Sequence, residues 1–174
     1  MRPSTALPCR AKRRWLQSWD QVRGLFDSLY RRHPIGDLLV WATESKSAAH
    51  RDGILAAGIV KLLLDGQQRM TSLYGVVRGK PPKFFDGNTQ TFTGLRFHLD
   101  AETFAFYQPV KMQDDPLWID VTELMKERNA GLGEFVARLS ALPDYVAKVG
   151  DYVGRLSRLL GMTDVALYVE EVGA

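Results

Sequence analysis

The chain has 174 residues, with 45% hydrophobic and 25% charged residues, the balance of a globular domain with a real core. Its single cysteine, Cys9, excludes an intrachain disulfide and a cysteine zinc cluster. The apolar runs are far too short for a membrane helix, the arginine-bearing start lacks the apolar stretch of a secretory signal, and a net charge of +3 with a pI near 9.1 makes the chain mildly basic.

The basic excess is uneven. Arg2, Arg10, Lys12, Arg13 and Arg14 all precede the first acidic residue, Asp20, and Arg31, Arg32 and His33 form a second cluster. "SWDQVRGLFDSLYRR" then predicts a helix. Ser18 or Asp20 can cap it, and Val22, Leu25, Phe26, Leu29 and Tyr30 fall on one face. Pro34 and Gly36 end it. "DLLVWAT" predicts a short buried strand, "ESKSAAHRDGILAAG" a polar surface loop and "IVKLLL" a second strand. "MTSLYGVVRG" reads as a helix with Met70, Leu73, Tyr74 and Val77 on its apolar face, stopped at Gly79.

Alternation of Leu95, Phe97 and Leu99, and again of Phe104 and Phe106, predicts a β-hairpin around "DAET". "LWIDV" is a further strand, after which Asp120 or Thr122 can cap the helix "ELMKER". Residues 132–160 carry a helical pattern with Tyr145, Val149, Tyr152, Val153, Leu156, Leu159 and Leu160 on one face. "DVALYVEEV" is a closing strand for which no later partner exists in the chain. An unpaired terminal strand is an edge liability, so the expectation is an N-terminal fragment of a longer protein. The fold class expected is α+β: a mixed sheet with flanking helices, a β-hairpin insertion and a C-terminal helical segment. Residues 1–125 are expected to form the core, with 126–174 as a helical extension and terminal strand.

Chemistry concentrates at "LLLDGQQRMTSL". A strand that enters a helix through Asp-Gly offers the unpaired N–H groups of the helix start to an anion. Gly66 permits close backbone approach. Asp65 can cap the helix or hold a metal. Gln67 and Gln68 can orient a water, and Arg69 presents a planar fork to phosphate. On spacing alone the plain alternative is a capped helix with solvated side chains. The stretch is neither a Walker loop nor a dinucleotide fingerprint. His33, His50 and His98 are isolated and read as surface or structural histidines.

"LLLDGQQRMTSLYGVVRGKPP" closely resembles the Asp-Gly-Gln-Gln-Arg signature of a bacterial and phage-defence family, the N-terminal part of GmrSD-type, modification-dependent restriction endonucleases. "LFDSLYRRHPIGDLLVWAT" and "PLWIDVTELM" are similar to its flanking stretches, in the same order, so the resemblance covers about residues 22–125. It implies a ParB/sulfiredoxin-like fold that binds a nucleoside triphosphate, GTP or ATP, with Mg²⁺. Hydrolysis there is coupled to cutting modified DNA, and the nuclease chemistry sits in a separate C-terminal HNH-type domain or partner subunit. Carried over, Gln67, Gln68 and Arg69 are the candidate catalytic residues. Asp65, Gly66, Arg13 and Thr71 are the candidate nucleotide-binding residues, with Asp65 the candidate Mg²⁺ ligand. Met70 replaces the usual leucine, a volume-conserving exchange.

The family's opening Gln-Arg strand is altered, with Lys12 at the glutamine and Gln17 at the tryptophan position. The expected setting is cytoplasmic. The alternatives are a non-catalytic DNA-binding module, using the basic N-terminus with Arg31, Arg32, Lys46 and Arg51, or a truncated, degenerate family member without activity.

Overall fold

A computed structural model describes residues 18–45, 49–50, 53–54, 58–82 and 92–173. The architecture is α+β. Helix α1 (Trp19–Tyr30) opens it, followed by β1 (Leu38–Ser45), β2 (Ala49–His50), β3 (Gly53–Ile54) and β4 (Gly58–Asp65). Then come α2 (Gln67–Arg78), β5 (Leu95–His98), β6 (Thr103–Phe106), α3 (Pro109–Met112), β7 (Trp118–Asp120) and α4 (Val121–Glu127). The chain closes with α5 (Asn129–Ser140), α6 (Val149–Leu160) and β8 (Val169–Gly173).

Ser18 starts α1 through a capping box: its hydroxyl accepts from the Gln21 N–H while the Gln21 side chain accepts from the Ser18 N–H. The helix buries Val22, Phe26, Leu29 and Tyr30 against the hairpin of β5 and β6. There Phe26 meets Phe104, and Tyr30 meets Phe97 and Phe104, with the Tyr30 and Phe97 rings 4.7 Å apart. Each such side chain contributes roughly 1.5–3 kcal/mol on burial. Strand β5 is central to an antiparallel sheet ordered β6-β5-β7. Asp120, at the end of β7, accepts from the Glu123 N–H and so caps α4, as the sequence predicts. Its other carboxylate oxygen pairs with Arg96 of β5 at 3.1 Å.

Four expectations change. First, β1 is not a buried strand: over its described side chains, 38–42, only Leu38 is buried and Trp41 is exposed, because β1 lies in a second sheet, β4-β1-β8, outside the main core cluster. Second, the closing strand does have a partner. Strand β8 pairs with β1 in parallel, Leu38 with Val169 through Ala42 with Gly173, and sits at the sheet edge. The partner lies earlier in the chain, so its order along the sequence concealed it. Third, the polar segment after β1 carries strand as well as loop, since Ala49–His50 pairs with Gly53–Ile54. Fourth, the helical pattern over 132–160 is broken. Helix α5 ends at Ser140, a turn through Pro143 follows, and α6 begins at Val149. Helix α5 packs on α4 and α6 packs on α5, and together they place Phe135, Leu139, Tyr152, Leu156 and Leu159 in the same core as α1 and the hairpin.

Candidate functional site

Strand β4 pairs antiparallel with β1, with an irregularity in register between Leu39 and Val40, and runs out at Asp65. Gly66 follows with φ +86° and is the N-cap of α2. The left-handed backbone turns the chain sharply from strand to helix. A side chain there would be strained, and its Cβ would overlap Leu38 Cδ2. Because glycine has no side chain, the N-cap position supplies none to satisfy the orphan N–H groups of the first turn. The first intrahelical bond runs from the Met70 N–H to the Gly66 carbonyl at 3.0 Å. Asp65 is therefore not the helix cap. Its carboxylate meets Arg69 instead, at 3.2 Å, and its side chain is largely exposed.

Arg69 is turned inward. Its Nη1 donates to the Ile35 carbonyl at 2.6 Å, and its Nη2 donates to the Asp37 carbonyl at 2.7 Å and to Asp65 Oδ2 at 3.2 Å. Two stretches that the sequence presents as separate, "PIGD" and "DGQQR", are thus one structural unit. Gly36 makes this possible. At φ +81°, its missing Cβ would lie 2.6 Å from Arg69 Nη1.

Gln67 donates from Nε2 to the Leu63 carbonyl at 2.7 Å, which uses one of its two amide hydrogens and ties the helix start back to β4. Gln68 is exposed and its carbonyl accepts from the Ser72 hydroxyl at 3.0 Å. Thr71 is half-buried one turn into the helix. The structure thus gathers Asp65, Gly66, Gln67, Gln68, Arg69 and Thr71 at one junction. Arg13, with Lys12 and Gln17, lies outside the described residues, as do Lys46 and Arg51. Reading the sequence missed the loop carbonyls of Ile35 and Asp37. The only available signal was the glycine in "PIGD", a position that tolerates positive φ.

The expected face of α2 is also rotated. Its buried residues are Ser72, Gly75 and Val76, while Met70 and Tyr74 are exposed and Leu73 and Val77 only partly buried. The helix is held from behind: the buried Thr122 hydroxyl of α4 donates to the Val76 carbonyl at 2.8 Å.

The second basic cluster is partly spent on structure. Arg31 pairs with Asp27 at 3.1 Å and also reaches the Glu102 carbonyl, while Arg32 and His33 are exposed. His98 accepts the Ala101 N–H at Nδ1 and meets Asp115 at 3.3 Å, which makes it a structural histidine. Among the described residues no group of three or more His, Cys, Asp or Glu side chains could hold a metal ion.

A sequence model of the GmrSD restriction endonuclease N-terminal domain matches residues 12–139. The chain belongs to this family. DNA restriction is therefore the setting of this domain. The match spans α1 to α5 and includes both the "PIGD" loop and the "DGQQR" junction that Arg69 joins. No curated protein matches the chain. No helix among the described residues is long and apolar enough to cross a membrane.

Proposed function

We propose that this domain binds a nucleoside triphosphate, GTP or ATP with Mg²⁺, at the β4–α2 junction and hydrolyses it within a cytoplasmic DNA restriction protein of antiphage defence. We take the domain to share a ParB/sulfiredoxin-like fold, and the nuclease centre to be supplied by an HNH-type domain or partner subunit. The observation that carries the reading is the glycine N-cap. Gly66 leaves the positive end of a twelve-residue helix without a capping side chain from that position, next to an exposed carboxylate and an exposed glutamine. Backbone N–H groups at such a start suit phosphate oxygens.

In this reading the start of α2 cradles the phosphates and Thr71 closes the cradle. Gln68, exposed in the first turn, orients the attacking water, since its amide can both donate and accept. Gln67 fixes the helix start to β4 through its bond to Leu63. The donor chemistry at the junction fits Mg²⁺. This ion takes one or two protein carboxylates and receives most of its remaining ligands from phosphate and water, and Asp65 has one carboxylate oxygen outside its pair with Arg69. Bound there, the ion would neutralise charge that develops on the phosphates.

Calorimetric titration of the purified chain with GTP and with ATP, each with Mg²⁺, tests the reading. We expect saturable binding to at least one of them and phosphate release that is lost in Gln68→Ala. The absence of both heat and a shift in melting temperature with either nucleotide would overturn it.

A further inference from the structure

The bonds of Arg69 assign it a different task from the one its motif suggests. A guanidinium binds phosphate most strongly in bidentate fashion, along one of its two edges. One edge is formed by Nη1 and Nη2, the other by Nε and Nη2, so both need Nη2. In this structure Nη2 donates to both the Asp37 carbonyl and Asp65 Oδ2, and Nη1 donates to the Ile35 carbonyl. Neither edge is left for phosphate. The side chain is also mostly buried, at 24% exposure, and wedged against two glycines that have no Cβ to displace it.

We propose that Arg69 is a positioning residue that fixes the 34–37 loop, and with it the start of β1, against the N-terminus of α2. The part of this inference that concerns nucleotide rests on the function proposed above. The clamp itself rests only on the three bonds and the two glycines. Gly36 is then the second half of the device: an alanine there would push on Nη1 and strain the loop backbone at φ +81°, without altering any charge. The loop leads directly into Leu38, whose N–H donates to the Tyr168 carbonyl at 2.9 Å and so reports on how well β1 is anchored.

The test compares the wild-type chain with Arg69→Lys and Gly36→Ala, each first shown to be folded by circular dichroism and a cooperative urea transition. Amide hydrogen exchange across residues 35–40 is measured without nucleotide, and MgGTP and MgATP are titrated separately. We expect both variants to exchange about tenfold faster across 35–40. We expect both to bind nucleotide about tenfold more weakly, although Arg69→Lys keeps the positive charge and Gly36→Ala keeps Arg69 itself. Wild-type exchange rates in Arg69→Lys would overturn the clamp. Full nucleotide affinity in both variants would overturn the positioning role, as would full affinity in Arg69→Lys alone, because charge would then suffice. If the wild-type chain binds neither nucleotide, the proposed function fails, and the exchange measurement still decides the clamp.

Discussion

Thr122 has its hydroxyl buried, donating to the Val76 carbonyl of α2 at 2.8 Å. Thr122→Val keeps the shape and removes the donor. The Val76 carbonyl still accepts from the Gly79 N–H, so no backbone group is orphaned. The expected loss is about 1 kcal/mol, read as a lower urea midpoint with an unchanged slope. Two tyrosines set a different residue-scale property. Burial, and then the bond its hydroxyl donates to Glu102, raise Tyr30 to about 12, and burial with a bond to Asp100 does the same for Tyr152. An unfolded tyrosine ionises near 10. Below that value both states keep the proton and the stabilisation is complete. Between about 10 and 12 the unfolded chain releases protons that the folded chain retains, so stability falls as pH rises through that window. Urea midpoints measured across it should drop steadily, and the drop should be shallower in Tyr30→Phe. At this scale the sequence is only half legible. The residue types of a phosphate junction are plain in "DGQQR". The partners of Arg69 are not, because they are backbone carbonyls 34 and 32 residues away and every residue owns a carbonyl.

Elements whose apolar residues mark one face are legible from spacing alone, and α1 and the β5–β6 hairpin fold as their patterns say. Helix α2 does not, and the reason is size rather than polarity. Counting large apolar residues turns Met70 and Tyr74 inward. The structure turns Ser72, Gly75 and Val76 inward, because the Phe92 ring fills the space over Gly75 and α4 packs close by. Small residues at a tight contact carry no hydrophobic signal. Gly75→Ala makes the competition measurable. Alanine gains about 1 kcal/mol of helix propensity over glycine. Its Cβ, however, would overlap the fully buried Phe92 ring. Overpacking of that kind costs roughly 1–3 kcal/mol, so the substitution should lower the melting temperature despite the better helix former. A rise instead would show that Phe92 can shift.

On the scale of the whole molecule, the extent of the family match and the extent of the core differ. The match ends at residue 139, within α5. Yet α6 sends Tyr152, Leu156 and Leu159 into the core, all essentially without solvent exposure. It also anchors the hairpin turn: the Tyr152 hydroxyl donates to Asp100 at 3.1 Å, and Arg155 and Arg158 pair with Glu102 at 3.2 and 3.1 Å. Three fully buried side chains contribute roughly 1.5–3 kcal/mol each, which is comparable to the whole stability of a domain, about 5–15 kcal/mol. Strand β8 is the opposite case. It is exposed along its length and meets the rest of the fold through its pairing with β1 and the ion pair of Glu171 with Lys61 of β4. Two shortened chains separate these contributions. A chain ending at Ser140 should show no cooperative thermal transition and should aggregate, because the core surface left by α6 is bare. A chain ending at Asp164 keeps α6 and loses β8, and should still melt cooperatively at a modestly lower temperature. If the shorter chain melts like the full one, α6 is an appendage and the core is complete without it.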